Sequence, residues 1–323
     1  MNRRNFLVST AGMVVTGLVA ACGGNAAQGG GTSSDGRKVV NVGVTPLLNA
    51  APLYLGIKKG FFGQEGLAVT AKTIQTAATA IPSMLKGELQ YALVSTVPAI
   101  NARAQGLQIS MVLGNDVYAQ KAEDDGSAFL VAKDSRIKSS ADLAGTTIGI
   151  VGLRSMPELA ARQAMRKAGA DPDSAKFVEL PYAEMISGVK QGRVDAALAA
   201  DPFLGQGLDQ GLRAAGSPYS EAFPAVTGLS WIGAGQYLKG DSDAVQRFVR
   251  AMTKSVQYCA EHPDEVRAQA GTFTKISAAA LPKVRLPVFS PRLDQAQLQK
   301  IADAMVAEKF VTKRPDLGGL VLS

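Results

Sequence analysis

The sequence is short of the residues that most enzymes use for their chemistry. Its 323 residues include 2 cysteines and 1 histidine. A Ser-His-Asp hydrolase would have to recruit that histidine, His262, which lies in a Glu-His-Pro segment where a helix is predicted to end. The chain also lacks a Gly-x-Ser-x-Gly, a His-Glu-x-x-His and a phosphate-binding-loop pattern. These absences argue against a hydrolase, and the sequence predicts no catalytic residue, no metal ligand and no cofactor.

The two cysteines exclude a disulfide framework. Cys22 follows an apolar run near the amino terminus, and if it is lipidated then Cys259 is the remaining thiol and no intramolecular disulfide can form. Phe248, Met252 and Val256 precede Cys259 at helical spacing. This pattern predicts that Cys259 is a small buried side chain on a helix and not a nucleophile.

After the amino terminus the sequence has no apolar run long enough to cross a membrane and no block of one charge. The net charge is +7, from 34 Lys and Arg against 27 Asp and Glu, and both signs are interspersed. A nucleic-acid-binding surface would concentrate its basic residues on one face or stripe. We therefore predict a solvated surface with mild attraction for anions and no nucleic-acid partner.

Residues 1–21 have the features of a signal peptide. Arg3 and Arg4 precede an uncharged apolar run that ends in small residues. The segment Leu18–Cys22, LVAAC, resembles a bacterial lipobox, in which the cysteine becomes lipidated; an ordinary secretory signal with a chance cysteine is the alternative. The arginine pair followed by Phe6 also resembles a twin-arginine export signal. We expect an exported protein held by Cys22 at the outer face of the cytoplasmic membrane.

The mature chain follows two successive α/β patterns. Residues 22–37 are rich in Gly and Ser and predict a flexible tether. Short apolar strands then alternate with amphipathic helices, which is typical of an α/β protein with mainly parallel sheets. We predict one discontinuous lobe from residues 38–134 and 225–323, a second lobe from residues 135–224, and a cleft between them. The return of the last helices to the first lobe is an interpretation that spacing alone does not establish.

Three segments resemble one known family. They are APLYLGIKKGFF at residues 51–62, DLAGTTIG at residues 142–149, and GRVDAA at residues 192–197 followed by Asp201-Pro202-Phe203. Together they resemble the nitrate, sulfonate, taurine and thiamine-precursor family of ABC-transporter substrate-binding proteins. Asp201 stands where that family usually has Glu, and no aromatic residue precedes it. The resemblance implies a type II periplasmic-binding-protein fold that closes on a ligand by a hinge and delivers it to a permease with its ATPase. We expect a monomer.

Ligands of open α/β sheets bind beyond the carboxyl ends of the strands, so the candidate site residues lie in the strand-to-helix loops. In the first lobe Asn49 can donate and accept hydrogen bonds, or merely cap a helix. In the second lobe Arg154 can form a bidentate contact with an anion, or lie on the cleft rim. Asp201 can accept from a ligand amine, or hold Arg154 or the hinge. The full candidate set is Leu48, Asn49, Ala50, Thr76, Ala77, Ser95, Thr96, Gly152, Arg154, Ser155, Tyr182, Asp201, Phe203 and Trp231.

For the class of ligand we predict a small organic anion, with a heteroaromatic molecule as the alternative. Arg154, the helix amino termini and the positive charge favour a small organic anion such as a sulfonate or carboxylate. The aromatic candidates and Asp201 would instead suit a heteroaromatic ligand such as a pyrimidine precursor. Two further classes are the alternatives to transport. A thiamine-precursor synthase on the same fold would need a reactive histidine and a cysteine-rich metal-binding stretch, and the sequence has neither, so we expect no enzyme. A sensory lipoprotein would present the same cleft to a receptor, and the sequence does not separate it from a transport component.

Overall fold

A computed structural model describes residues 31–274 and 276–322 of the chain. The signal-peptide arginines, Cys22 and most of the predicted tether lie outside the described residues. Within the described residues, no helix combines the length and the apolar character that crossing a membrane requires.

The first sheet has five strands in the order β2-β1-β3-β11-β4. Its strands are β1 (Lys38–Val44), β2 (Leu67–Thr73), β3 (Tyr91–Ser95), β4 (Ile109–Gly114) and β11 (Leu229–Ala234). Strand β1 pairs in parallel with β2 and β3, whereas β11 runs antiparallel between β3 and β4. Four strands therefore point one way and the late strand β11 points the other way, which returns the chain to the first sheet.

Four of the eight described helices beside the first sheet begin at an aspartate cap or at a proline in the first turn. The eight are α1 (Ala51–Lys58), α2 (Phe61–Gln64), α3 (Ala77–Leu85), α4 (Thr96–Ala104), α9 (Gly235–Gly240), α10 (Ser242–Glu261), α11 (Pro263–Phe273) and α12 (Gln295–Ala307). Helix α10 starts where the Asp241 side chain accepts a hydrogen bond from the Ala244 amide at 3.0 Å. Its buried stripe includes Phe248, Met252 and Cys259, which is 1% exposed, and burial raises the pKa of that thiol to about 12. The prediction that Cys259 is a small buried side chain on a helix is confirmed.

The second sheet repeats this plan in the order β10-β6-β9-β7-β8. Its strands are β6 (Ser127–Val131), β7 (Thr147–Ile150), β8 (Lys176–Glu179), β9 (Ala196–Ala200) and β10 (Arg213–Ala214), and its helices are α5 (Met156–Lys167), α6 (Tyr182–Lys190), α7 (Phe203–Asp209) and α8 (Pro218–Ala222). Strand β7 pairs in parallel with β8 and β9, and β6 pairs antiparallel with β9. A separate two-stranded ladder joins β5 (Asp116–Val117) to β12 (Val288–Phe289). The two-lobed α/β fold with mainly parallel sheets is confirmed.

Sheet membership differs from the predicted lobe boundary at one place. Strand β6 precedes residue 134, where the sequence division ended the first lobe segment, yet it pairs with β9 in the second sheet. Its five residues are all buried, so it fills an inner position of that sheet. The Gly-rich stretch up to Gly216, which carried no predicted element, contains helix α7 and the short strand β10. Tertiary contacts, which local composition does not report, stabilise these elements.

One hydrophobic core connects the two sheets. It includes Ile100 and Met111 beside the first sheet, Met305 on α12, and Met156 and Leu159 on α5 of the second sheet. Helix α12 thus packs against helices from both lobes. We call this contact of α12 with helices of both lobes the joint.

Candidate ligand-binding cleft

A cleft of about 810 Å³ lies between the two sheets. Loops that follow β1, β2 and β3 form one wall, and loops that follow β7, β8 and β9 form the other. These are the carboxyl ends of the parallel strands, where open α/β sheets bind ligands. The fold therefore brings both predicted sets of loops to one cavity.

Ten of the fourteen candidate residues line this cleft. They are Leu48, Asn49, Thr76, Ala77, Ser95, Gly152, Arg154, Ser155, Tyr182 and Asp201.

The other four candidates do not line it. Ala50, Thr96 and Trp231 are each 0% exposed. The Thr96 hydroxyl donates to the Thr227 carbonyl oxygen at 3.1 Å, because β11 passes beside the start of α4. The indole of Trp231 packs edge-on against the Phe248 ring with centroids 6.4 Å apart. Thr96 and Trp231 are buried because β11 inserts between β3 and β4, whereas Ala50 packs in the hydrophobic cluster around α1.

Phe203 lies behind the cleft wall and supports a residue that forms it. Its ring stacks on the Tyr182 ring, with centroids 5.4 Å apart and an interplanar angle of 7°. Burial raises the pKa of the Tyr182 hydroxyl to about 12, so this side chain stays neutral. Tyr182 therefore presents an apolar face to the cleft, and Phe203 fixes its orientation.

Asn49 binds a carboxylate that the sequence had not singled out. Its side-chain amide donates to Asp116 Oδ2 at 2.9 Å, and Asn115 donates to the same oxygen at 2.8 Å. The Leu229 amide donates to the other oxygen at 3.2 Å. Asp116 lines the cleft but is 3% exposed, and burial raises its pKa above the usual range for an aspartate. The helix-capping alternative for Asn49 has no hydrogen bond to support it.

Two more carboxylates line the second-lobe side of the cleft. Asp125 accepts from the Ser127 hydroxyl at 2.6 Å and from the Ser220 amide at 3.1 Å. Asp201 accepts from the Arg285 amide at 2.9 Å and from the Gly205 amide at 3.0 Å. Burial raises the pKa of both carboxyl groups. Neutral donors thus satisfy these carboxylates, and the described part of the chain offers no ion pair to Asp116, Asp125 or Asp201.

The predicted anion contact, Arg154, is engaged elsewhere. Its guanidinium donates to the carbonyl oxygens of Lys309, at 3.1 Å, and Phe310, and lies over the Phe310 ring at 5.4 Å from the centroid. Its backbone is in the left-handed region, with φ of 51°, and its amide donates to Glu158 Oε2 at 2.6 Å. Arg154 therefore connects the cleft loop after β7 to the carboxyl end of α12. The alternative contact between Arg154 and Asp201 does not form.

Ser155 precedes α5 as predicted, although its hydroxyl does not cap that helix. The hydroxyl donates instead to the Gly152 carbonyl oxygen. The Glu158 carboxylate accepts from the Arg154 amide and makes no hydrogen bond with Ser155. The loop after β7 is thus held by its own hydrogen bonds, which leaves the exposed Leu153 side chain at the cleft surface.

Aromatic residues missed at the sequence level complete the cleft. The rings of Tyr118 and Tyr219 stack with centroids 4.7 Å apart and an angle of 5°, and both line the cleft. Burial raises the pKa of both hydroxyls well above the usual tyrosine value. Tyr118 and Asp125 lie in a polar loop between strands, so no strand-end pattern identified them. The described residues include no group of His, Cys, Asp and Glu side chains that could hold a metal ion.

Comparison with known proteins agrees with this geometry. The NMT1/THI5-like family matches residues 48–266. A Bacillus subtilis protein named as a binding protein, YtlA, is 26% identical over 230 residues, which are 70% of this chain and 67% of the relative. The formylaminopyrimidine-binding protein of Halalkalibacterium halodurans is 25% identical over 219 residues, which are 66% of this chain and 63% of the relative. The chain thus spans about two thirds of the length of these relatives.

Solved structures share the fold at lower identity. The periplasmic aliphatic sulphonate binding protein SsuA from Escherichia coli has a TM-score of 0.74 at 17% identity, and the match covers 88% of this chain and 97% of that one. The segments at residues 51–62, 142–149 and 192–197 that carried the family resemblance all lie inside the matched range. The chain belongs to the NMT1/THI5-like family and has the two-lobed fold of periplasmic substrate-binding proteins.

Proposed function

We propose that this protein is the substrate-binding component of an ABC importer. The observation that carries the proposal is the cleft of about 810 Å³ between two lobes, lined by strand-to-helix loops from both. A ligand in that position would contact both lobes and favour their closure, and the closed form would be presented to a permease and its ATPase. In this proposal residues 38–134 and 225–323 form the first lobe and residues 135–224 form the second, except that β6 belongs to the second lobe.

The proposal includes export and anchoring. The basic start, the apolar run and the lipobox-like segment support an exported lipoprotein whose Cys22 carries the lipid. Cells fed radioactive palmitate should label the wild-type protein and should fail to label the Cys22→Ser variant. Labelling that persists in this variant would contradict the anchor site. Export should also depend on the arginine pair if the twin-arginine route is used.

We infer that the ligand is an amine-bearing heteroaromatic molecule. Three carboxylates line the cleft: Asp116 and Asp125 are buried and Asp201 is half-buried. None of them forms an ion pair with another described residue, although the charge of Arg285 acts on Asp201. Burying uncompensated negative charge is costly, so an N–H donor or a positive ligand would relieve it, whereas an anion would add to it. Arg154, the residue that favoured an anion, is occupied by carbonyl oxygens. The heteroaromatic alternative is therefore better supported than the organic anion.

The apolar surfaces of the cleft support a flat ring. Tyr118, Tyr182 and Tyr219 line it, and so do the exposed side chains of Leu153 and Val288, which are 49% and 46% exposed. Aromatic rings stack favourably on planar ligands at centroid distances of about 4.5–7 Å. A relative that is 25% identical is named for binding a formylaminopyrimidine, which is consistent with this ligand class.

The decisive experiment identifies the natural ligand. The protein is purified without added ligand and denatured, and the released small molecules are identified by mass spectrometry. A nitrogen heterocycle would support the proposal, and a sulfonate or carboxylate would overturn the ligand class while leaving the binding function. Calorimetric titration with 4-amino-2-methylpyrimidine and with ethanesulfonate gives an independent comparison, in which the aminopyrimidine should bind more tightly. Import of the identified ligand should require the full-length protein.

A further inference from the structure

One part of the cleft wall is a segment that is held by the first lobe at both ends and contacts the second lobe in between. We name residues 276–289 the strap. Its first part packs through Ile276 and Val284 in a small hydrophobic cluster with Leu48 and Ala270. Its last part, β12, pairs with β5. Both ends of the strap are therefore fixed outside the second sheet.

Between these ends the strap faces the ligand space. Arg285, Leu286, Pro287 and Val288 all line the cleft, and the Val288 side chain is 46% exposed. This stretch of chain therefore forms part of the cleft lining beside residues of both lobes.

The strap meets the second lobe mainly through one main-chain hydrogen bond. The Arg285 amide donates to Asp201 Oδ2 at 2.9 Å, whereas the Arg285 guanidinium makes a longer contact of 3.4 Å with the Asp125 carbonyl oxygen. Asp201 follows β9, and its other oxygen accepts from the Gly205 amide at 3.0 Å. The carboxylate is therefore held on the second lobe by one amide while it holds the strap by another.

We propose that Asp201 is a positioning residue that fastens the strap to the second lobe and sets the rate at which ligand enters and leaves the cleft. This inference rests on the proposed function for the passage of ligand, although the fastening itself does not depend on it. A hydrogen bond to a carboxylate is stronger than one between neutral groups, so a single such bond can hold a segment closed. Releasing a gate accelerates entry and exit together, whereas removing a ligand contact accelerates exit alone.

The fastening is tested by removing the donor and leaving Asp201 intact. Arg285→Pro deletes the amide hydrogen, and the preceding residue Val284 already has the extended conformation, φ of −69° and ψ of 133°, that residues before proline adopt. Arg285→Ala is the matched control, because it removes the guanidinium and keeps the amide. Hydrogen exchange is followed by mass spectrometry over the peptides that span residues 284–290.

We expect exchange of residues 286–289 to be about tenfold faster in Arg285→Pro than in wild type, and to be unchanged in Arg285→Ala. Thermal unfolding of each variant confirms that it is folded. If Arg285→Pro is too unstable to measure, Asp201→Ala replaces it and should give the same increase. Equal exchange in wild type and in the variant that lacks this hydrogen bond, Arg285→Pro or Asp201→Ala, would overturn the fastening. An increase in Arg285→Ala as large as in Arg285→Pro would assign the contact to the guanidinium and would also overturn it.

The kinetic consequence is measured by stopped-flow binding of 4-amino-2-methylpyrimidine. The association and dissociation rate constants should both rise by about threefold or more in Arg285→Pro relative to Arg285→Ala, which lacks the same guanidinium, so that Kd changes less than either rate constant. A higher dissociation rate with an unchanged association rate would overturn the gate and assign a direct ligand contact to this site. If wild-type protein does not bind the aminopyrimidine, the ligand class in the proposed function fails while the exchange result still decides whether Asp201 fastens the strap.

Discussion

The molecule buries carboxylates in two regions and treats them in opposite ways. At the joint between the lobes, the Glu308 side chain is 0% exposed and accepts from Arg162 at 2.8 Å, from Arg166 at 2.6 Å and from Gln163 at 2.7 Å. Burial alone would raise the pKa of Glu308, but the hydrogen bonds and charges of the two arginines outweigh it and hold that pKa below its ordinary value. At the cleft, burial prevails and raises the pKa of each aspartate.

The buried carboxylate at the joint is paired with two arginines, whereas the cleft carboxylates form no ion pair with other described residues. Helix α12 ends at the joint, and α5 supplies both arginines there, so the chain itself neutralises the charge that it buries. At the cleft the chain supplies neutral donors and leaves the negative charge in place. Uncompensated charge in a cavity raises the affinity for a ligand of opposite or donor character. The two regions therefore make opposite predictions for mutation and for pH.

Glu308→Ala should produce the largest loss of stability. The substitution leaves Arg162, whose side chain is 13% exposed, without its buried partner. Removing one partner of a buried ion pair typically costs about 3 kcal/mol of unfolding free energy. The matched control is Asp303→Ala on α12, which removes an ion pair with Arg314. The side chains of Asp303 and Arg314 are 51% and 61% exposed, so this loss should cost less than about 0.5 kcal/mol. Urea unfolding measures both, and equal losses would contradict a special role for the joint.

The two regions should respond to pH with opposite sign. The folded-state pKa of Glu308 is lowered, so its stabilisation is present at neutral pH and is lost as pH falls through that pKa. The folded-state pKa of Asp201 is raised, so its contribution is greatest in acid and is lost as pH rises through that pKa. The unfolding free energy of wild type minus that of Glu308→Gln should therefore shrink on acidification from pH 7 to pH 3, whereas the corresponding difference for Asp201→Asn should grow.

Each unit of pKa difference is worth about 1.4 kcal/mol, which urea unfolding at several pH values can resolve. Ligand-free protein is used for both series, because a bound amine would lower the pKa of Asp201. Two differences that change in the same direction would remove the contrast between the joint and the cleft.

Much of the framework could be predicted because it follows from local patterns. The alternation of short apolar strands with amphipathic helices predicted the α/β fold, and the apolar stripe that ends at Cys259 predicted the helix that the structure shows as α10. Loops after parallel strands predicted ten of the cleft residues, since a sheet gathers the carboxyl ends of its strands at one edge. Periodicity and strand direction are enough for these inferences.

The missed part of the cleft depends on contacts between distant segments. Asp116 reaches it through the β5–β12 ladder, and Arg285 through the strap, so neither follows a strand of a main sheet. Trp231 resembled a ligand-stacking residue until β11 proved to insert between two strands, which buries its ring completely. Arg154 could not be assigned because its carbonyl partners lie 155 and 156 residues away. Long-range pairing decides each of these cases.

Arg154→Ala should lower the unfolding free energy, as a change at the joint would, and leave the affinity for the ligand nearly unchanged. We expect a loss of about 1 kcal/mol in unfolding free energy, because two hydrogen bonds to the carbonyl oxygens after α12 disappear. Arg103→Ala is the control, since Arg103 donates to the Gly318 carbonyl oxygen at 2.7 Å within the first lobe. The affinity for the ligand identified by mass spectrometry should change by less than about threefold. A tenfold loss of affinity at unchanged stability would instead place Arg154 on the ligand.

The smallest effect is expected where the cleft exposes apolar side chains. Leu153→Ser and Val288→Ser remove surface that is already exposed in the free protein, so the unfolding free energy should change by less than about 0.5 kcal/mol. A ring seated in the cleft would bury both side chains, and losing that burial should raise Kd by about threefold for each substitution. Leu208→Ser is the matched control, because Leu208 is 38% exposed and does not line the cleft. Calorimetry with the identified ligand measures the change. Equal Kd values for all three variants and wild type would show that the ligand does not cover the apolar side chains of the cleft. The contrast between the joint and the cleft would then rest on the carboxylates alone.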